Sequence, residues 1–107
     1  MTEAQIQRAC LEALHRLGTT CWRNQAGSAR NGRTHLAPAG TPDIIGYLPG
    51  GRMLAIEVKA AKGKPSEEQL NWLRHAESQG VICGIARSAQ DAINIAQWGI
   101  NIPDQIT

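Results

Sequence analysis

The stretch GTPDIIGYLPGGRMLAIEVKA, residues 40–60, decides how this chain folds. Two apolar runs flank Pro49-Gly50-Gly51, a turn signal because Pro fixes φ and Gly accepts φ > 0. With those three residues as the loop, Leu48 pairs with Arg52, Tyr47 with Met53, Ile45 with Ala55 and Asp43 with Glu57. Strand side chains alternate faces, so Asp43, Glu57 and Lys59 then share one side. Opposed Cβ atoms lie about 5 Å apart, and two carboxylates there repel. A cation between them removes the penalty. Magnesium takes oxygen ligands at about 2.1 Å and often uses one or two carboxylates with water and phosphate. A loop one residue longer or shorter would send the two acids to opposite faces. The plainer alternative makes Asp43 a turn residue after Pro42, and Glu57 and Lys59 a solvent-facing stripe on a half-exposed strand.

The rest of the chain bounds what such a hairpin can belong to. At 107 residues, with 42% hydrophobic content, it has length for a single domain, residues 1–107, with one modest core. There is no Phe and one Tyr, so Ile, Leu, Ala and Trp must fill the interior. The three tryptophans, Trp22, Trp72 and Trp98, are expected in the core, with one of them a candidate for a dimer interface. No run approaches the 18 or so apolar residues of a membrane span, and MTEAQIQRAC carries no signal-peptide pattern. Cys10, Cys21 and Cys83 are odd in number and widely spaced, which predicts reduced thiols in a cytoplasmic protein.

Net charge is only +2 but unevenly placed. Residues 23–64 hold seven basic residues, Arg23, Arg30, Arg33, Arg52, Lys59, Lys62 and Lys64, against the two acids Asp43 and Glu57. Positive charge therefore surrounds the candidate carboxylate pair, which suits an anionic polymer such as DNA or RNA. An ordinary solvated surface is the competing explanation.

Around the hairpin, the periodicity predicts an element order α-β-β-β-α-β-α, an α/β domain with a mixed sheet. Residues 2–17 read as an amphipathic helix, with Ile6, Cys10, Ala13, Leu14 and Leu17 at helical spacing and Gly18 ending it. On a wheel of about 100° per residue the stripe spans about 280° to 20° from Glu3, so Glu3 falls within it. Glu3 either faces a polar site or serves the helix dipole from the first turn. Residues 19–25 read as a strand, and residues 26–40 as a long loop whose Arg30, Arg33 and His35 can contact phosphate. A basic connector, residues 60–65, leads to Ser66, an N-cap with Gln69 as its capping-box partner. Gln69 shares a face with Trp72, Leu73 and Ala76, so it either reaches the site or only caps. Residues 81–87 read as a buried strand, and Ser88 starts a last helix over about residues 88–97.

In this order the chain resembles the PD-(D/E)XK nuclease superfamily, and within it the VRR-NUC domain (virus-type replication-repair nuclease) found in phages and bacteria. The resemblance runs over residues 2–98. It rests on E-x-x-I-Q at Glu3, R-N at Arg23-Asn24, G-x-P-D at Gly40 to Asp43, I-E-V-K at Ile56 to Lys59, and Gln69. It implies a restriction-endonuclease-like αβββαβ core, a mixed β-sheet flanked by helices. It further implies that Asp43 and Glu57, with the Val58 carbonyl, hold Mg²⁺ or Mn²⁺. Lys59 would be the catalytic lysine, and Glu3 and Gln69 would complete the site. Arg23, Asn24, Arg30, Arg33, Lys62 and Lys64 are the expected nucleic-acid contacts.

The expected activity is divalent-metal-dependent hydrolysis of DNA phosphodiesters, selective for branched substrates such as Holliday junctions, by a homodimer. The metal would acidify a water and stabilise charge on phosphate. The alternatives are a non-catalytic nucleic-acid-binding module and a partner of a replication or repair helicase. A pure binder has no need of two acids amid positive charge.

Overall fold

The computed structural model describes residues 1–24, 29–30, 33–34 and 38–101. The elements run α1 (Glu3–Arg16), β1 (Thr20–Arg23), β2 (Ala29–Arg30), β3 (Arg33–Thr34), β4 (Ile44–Tyr47), β5 (Met53–Val58), α2 (Glu67–Ser78), β6 (Ile82–Ala86) and α3 (Ala89–Asn101). Strands β1, β4, β5 and β6 form one mixed sheet in that order. The first three are antiparallel, and β6 is parallel to β5 after the α2 crossover. This is the α/β architecture expected, with one addition. Residues 26–40, read as a loop, contain a two-residue ribbon pairing Ala29 with Thr34 and Arg30 with Arg33. Strands that short give no periodicity to detect. The expectations for His35 and Gln25 lie outside the described residues.

The hairpin register is the one the loop arithmetic demands. Tyr47 pairs with Met53, Ile45 with Ala55 and Ile44 with Ile56. The Leu48 N–H donates to the Arg52 carbonyl at 2.8 Å, and Gly51 N–H to the Leu48 carbonyl at 2.8 Å. Gly50 (φ 99°) and Gly51 (φ 94°) occupy the left-handed region that side chains avoid.

One sheet face is the core. Cys21, Ile44, Leu54, Ile56, Val58, Ile82 and Ala86 are buried there with Ile6, Cys10 and Leu14 of α1 and Ala92 and Ala96 of α3. Small residues on α3 let the two helices sit closely on that face. Burial pushes the Cys10 and Cys21 thiols up to about 11, so both stay protonated at neutral pH. On the other face, α2 lies against β6, with the Cys83 thiol donating to the Leu73 carbonyl at 3.5 Å. Two tryptophans depart from the core expectation: Trp22 is 51% exposed and Trp98 67% exposed. Trp72 is half-buried. Among the described residues no helix is long and apolar enough to cross a membrane.

Gly40 ties the layers together ahead of Asp43. Its φ is 82°, and a Cβ there would overlap the Glu68 carbonyl in the first turn of α2. Gly50 also has positive φ but open space around it. Gly40→Ala should therefore cost about 1–3 kcal/mol of overpacking on top of the left-handed strain. Gly50→Ala should cost only that strain, about 1–2 kcal/mol. Urea denaturation of the two variants measures the difference, with Gly40→Ala the less stable.

Candidate active site

Side-chain alternation carries Asp43, Ile45 and Tyr47 of the β4 segment to the face opposite the core, with Ala55, Glu57 and Lys59 beside them. Asp43 precedes β4 by one residue and Lys59 follows β5 by one, but ladder bonds hold both in line. Asn24 N–H donates to the Asp43 carbonyl at 2.7 Å, and Lys59 N–H to the Ala86 carbonyl at 3.0 Å. Continuing the Ile44–Ile56 pairing one step sets Asp43 opposite Glu57.

Each polar group of the pair has a defined partner or a conspicuous lack of one. Asp43 Oδ2 accepts the Val58 N–H at 2.9 Å. A strand residue turns its N–H and C=O to the same edge, so the Val58 carbonyl also faces Asp43. Glu57 is 2% exposed. Its Oε2 accepts from Gln69 Nε2 at 2.9 Å and lies 3.6 Å from Lys59 Nζ. Among the described residues its Oε1 is buried without a hydrogen-bond donor. A carboxylate oxygen left so is costly unless the group is protonated or a ligand completes it. Burial first, then the Asp43 charge and the hydrogen bond that a protonated Glu57 can donate to the Asp43 carboxylate, pushes the Glu57 carboxyl up to about 8; Lys59 pulls it down, and Glu3 adds to the rise.

These features fit a hard divalent cation. Oε1 of Glu57, the Asp43 carboxylate and the Val58 carbonyl are oxygen donors of the kind magnesium takes. Among the described residues no three His, Cys, Asp or Glu side chains converge as a metal cluster. The acidic set is thus this pair, leaving other positions to water and phosphate.

Gln69 resolves its two readings by doing both. Its Oε1 accepts the Ser66 N–H at 2.8 Å, closing the capping box, while Nε2 holds Glu57. Glu3 is exposed at the open end of α1 and reaches Glu57 through its charge, not through a described hydrogen bond. The helical phase gave its direction, but the helix end lies beyond the rim of the core. The α1 cap is Thr2, reciprocated by Gln5.

The expected nucleic-acid contacts divide. Arg23, Lys62 and Lys64 are exposed. Arg30 and Arg33 lie on the ribbon. The Asn24 side-chain amide is committed to the Pro42 carbonyl at 3.2 Å, so it positions the Pro42-Asp43 segment. Sequence reading missed Arg87. Its Nη1 donates to the carbonyls of Ala60 at 2.7 Å, Ala61 at 3.3 Å and Gly63 at 2.8 Å. It thereby pins the connector that carries Lys62 and Lys64. An isolated arginine after a strand gives no sequence signal for such a long-range clamp.

The family model of the VRR-NUC domain matches residues 1–90 of the chain. A solved structure described as a VRR_NUC domain superimposes with a TM-score of 0.64 at 22% identity, covering 91% of this chain and 97% of that one. At that identity the likeness speaks for the fold. No curated protein matches the chain.

The Glu57 shift sets a pH dependence. Its carboxyl titrates near 4.5 when unfolded and near 8 when folded, so the folded state binds the extra proton between those values. The stabilisation is fully present below about 4.5 and is lost as pH rises through about 8. Thermal melting in EDTA should therefore show stability falling across that window. Glu57→Gln, which cannot ionise, should flatten the slope.

Proposed function

The chain belongs to the VRR-NUC domain family, a nuclease-type domain, and from that premise we propose that it hydrolyses DNA phosphodiester bonds with a divalent cation held by Asp43 and Glu57. The observation that carries the proposal is the buried, unpartnered Oε1 of Glu57 opposite Asp43 and beside Lys59. A structural ion pair would leave no such oxygen, and a simple DNA-binding surface would not bury an acid amid basic residues.

Mg²⁺ or Mn²⁺ would supply Lewis-acid stabilisation of phosphate charge and a more acidic water. The chain's own residues prepare the site. Val58 N–H holds one Asp43 oxygen, Oδ2, and so fixes the carboxylate. Gln69, anchored by its own helix cap, fixes the Glu57 carboxylate so that Oε1 points into the site. The Lys59 ammonium partly offsets the two negative charges. In the transition state it would donate to the developing charge on phosphate and orient the attacking water. Lys62 and Lys64 would draw the DNA backbone to the site's edge, while Arg23, paired with Ile44 and so turned to the other sheet face, would add only longer-range attraction. We extend the reading to branched DNA such as four-way junctions cut by a two-fold dimer, a part supported by the family resemblance alone. A symmetric junction suits a two-fold assembly.

Labelled linear, flapped and four-way-junction DNA incubated with Mg²⁺, Mn²⁺ or EDTA tests the proposal. Wild type should cut at least one substrate with metal and none in EDTA. Asp43→Asn should fall to background, Lys59→Ala about 100- to 1,000-fold, and Gln69→Ala about 10- to 100-fold. Undiminished cleavage by Asp43→Asn, or cleavage in EDTA, would refute the metal mechanism. Binding with no cleavage of any substrate would leave a binding module. Cation binding also requires ionised carboxylates. The rise in melting temperature on adding Mn²⁺ should therefore be larger at pH 8 than at pH 6, and absent in Asp43→Asn.

A further inference from the structure

The active-site face of the sheet is covered unequally. Helix α2 lies over its β6 side, while β1, β4 and the start of β5 carry large exposed side chains. Trp22 is 51% exposed, Tyr47 46% and Met53 39%. Register puts them on one surface. Trp22 pairs with Ile45, and Tyr47 sits between Thr20 and Met53. All are on the face that bears Asp43 and Glu57, because Asp43, Ile45 and Tyr47 are alternate residues of one strand. Trp22 is the diagonal cross-strand neighbour of Asp43, so their Cα atoms are about 7–8 Å apart. Tyr47 follows Asp43 by four residues, about 13 Å along the strand.

We propose that this open half of the face is a stacking subsite for unpaired bases of a nucleic-acid strand, with Trp22 and Tyr47 as the platforms. The proposal rests on the nuclease reading and names the substrate feature that reading leaves open, a strand whose bases are free beside the scissile phosphate. Three observations favour a nucleic acid over a second copy of the chain. The aromatic surface runs directly into the carboxylate pair, so a strand whose phosphate reached Asp43 would lay its neighbouring nucleotides across Trp22. Lys59 shares this face 3.6 Å from Glu57 and supplies a cation for the backbone beside the carboxylates. A second copy seated on Trp22 and Tyr47 would wall off Asp43 from a polymer. Every base has a π-face, so stacking of this kind selects for unpaired bases without selecting sequence.

The test separates base from phosphate. Binding of fluorescein-labelled poly(dT) and of an abasic strand of the same length is measured by anisotropy in EDTA, so that nothing is cut. Wild type should bind poly(dT) at least about fivefold more tightly, the lower end of what one stacked base contributes. Trp22→Ala and Tyr47→Ala should each shrink the ratio, and Trp22→Phe should keep most of it. Trp98→Ala, on α3 beside β6 rather than β1, should not change it. Poly(dT) should also quench tryptophan fluorescence in wild type, with that quenching lost in Trp22→Phe. Circular dichroism establishes that each variant is folded.

Wild type that binds the two strands equally, or binds neither, overturns the subsite. So does a poly(dT) preference that survives loss of both aromatic rings. Conversion of a dimer to a monomer by Trp22→Ala, with the preference intact, would assign the surface to protein association instead. Asp43-dependent cleavage in Mg²⁺ is read separately. A protein that cuts DNA yet ignores bases overturns this inference alone, and one that prefers bases yet cuts nothing overturns only the nuclease reading.

Discussion

Two carboxylates face each other across one antiparallel rung, and the rest of the site exists to make that tolerable. Two ionised carboxylates here would repel, and burial with the Asp43 charge raises the Glu57 carboxyl to about 8, so it keeps a proton at neutral pH until a cation displaces it. The protein answers with one backbone N–H on Asp43, one side-chain amide on Glu57 and one ammonium nearby. With both acids ionised none of these neutralises the pair fully, and among the described residues no donor reaches Glu57 Oε1. A fold selected only for stability would replace such a pair with hydrophobic residues of similar size. Its retention at the opening of a basic surface is the physical reason to read the site as functional.

The pair is placed by groups that never touch it. Asn24 grips the Pro42 and Asp43 carbonyls through its side-chain and backbone amides. Gly40 lets that same segment press against the first turn of α2, where Gln69 emerges. The sheet thus meets the helix without a side chain between them, and Gln69 arrives at Glu57 already anchored by its cap. On the far side, Arg87 holds the connector after Lys59 by three carbonyls. The backbone that carries the basic residues of that connector is fixed by a guanidinium just past the end of β6.

What the sequence disclosed and what it hid follow one division. The hairpin was legible because a Pro-Gly-Gly loop sets its own register, and register alone puts Asp43, Glu57 and Lys59 on one face. Gln69 was legible as a cap because capping boxes are local, and its helical phase gave its direction. Asn24 was read as a DNA contact, and its amide bond to the Pro42 carbonyl of the neighbouring strand segment has no local sequence signal. Arg87 was invisible for the same reason. Trp22 and Trp98 were assigned inward by composition, yet composition says nothing of which sheet face a helix covers. Glu3 was read inward from helical phase, which is blind to where the helix overhangs the core.

The gathering of the site at one edge is a consequence of chain direction. Strand β5 ends at Val58, and the α2 crossover must return the chain to run parallel to it as β6. Two parallel strands end at the same edge, so the helix that follows each must begin there. Hence α2 opens beside Glu57 and α3 opens beside the connector. The start of α1 joins them, since Met1 and Ile6 line a cavity with Ala61 and Ser88. Helix starts and the carboxyl ends of parallel strands are where open α/β sheets place ligand chemistry. Among the described residues, the antiparallel strands β1 and β4 approach this edge without a helix overhead. The same connection that assembles Asp43, Glu57, Lys59 and Gln69 therefore leaves the side of the site occupied by Trp22 open to whatever strand the phosphate chemistry admits.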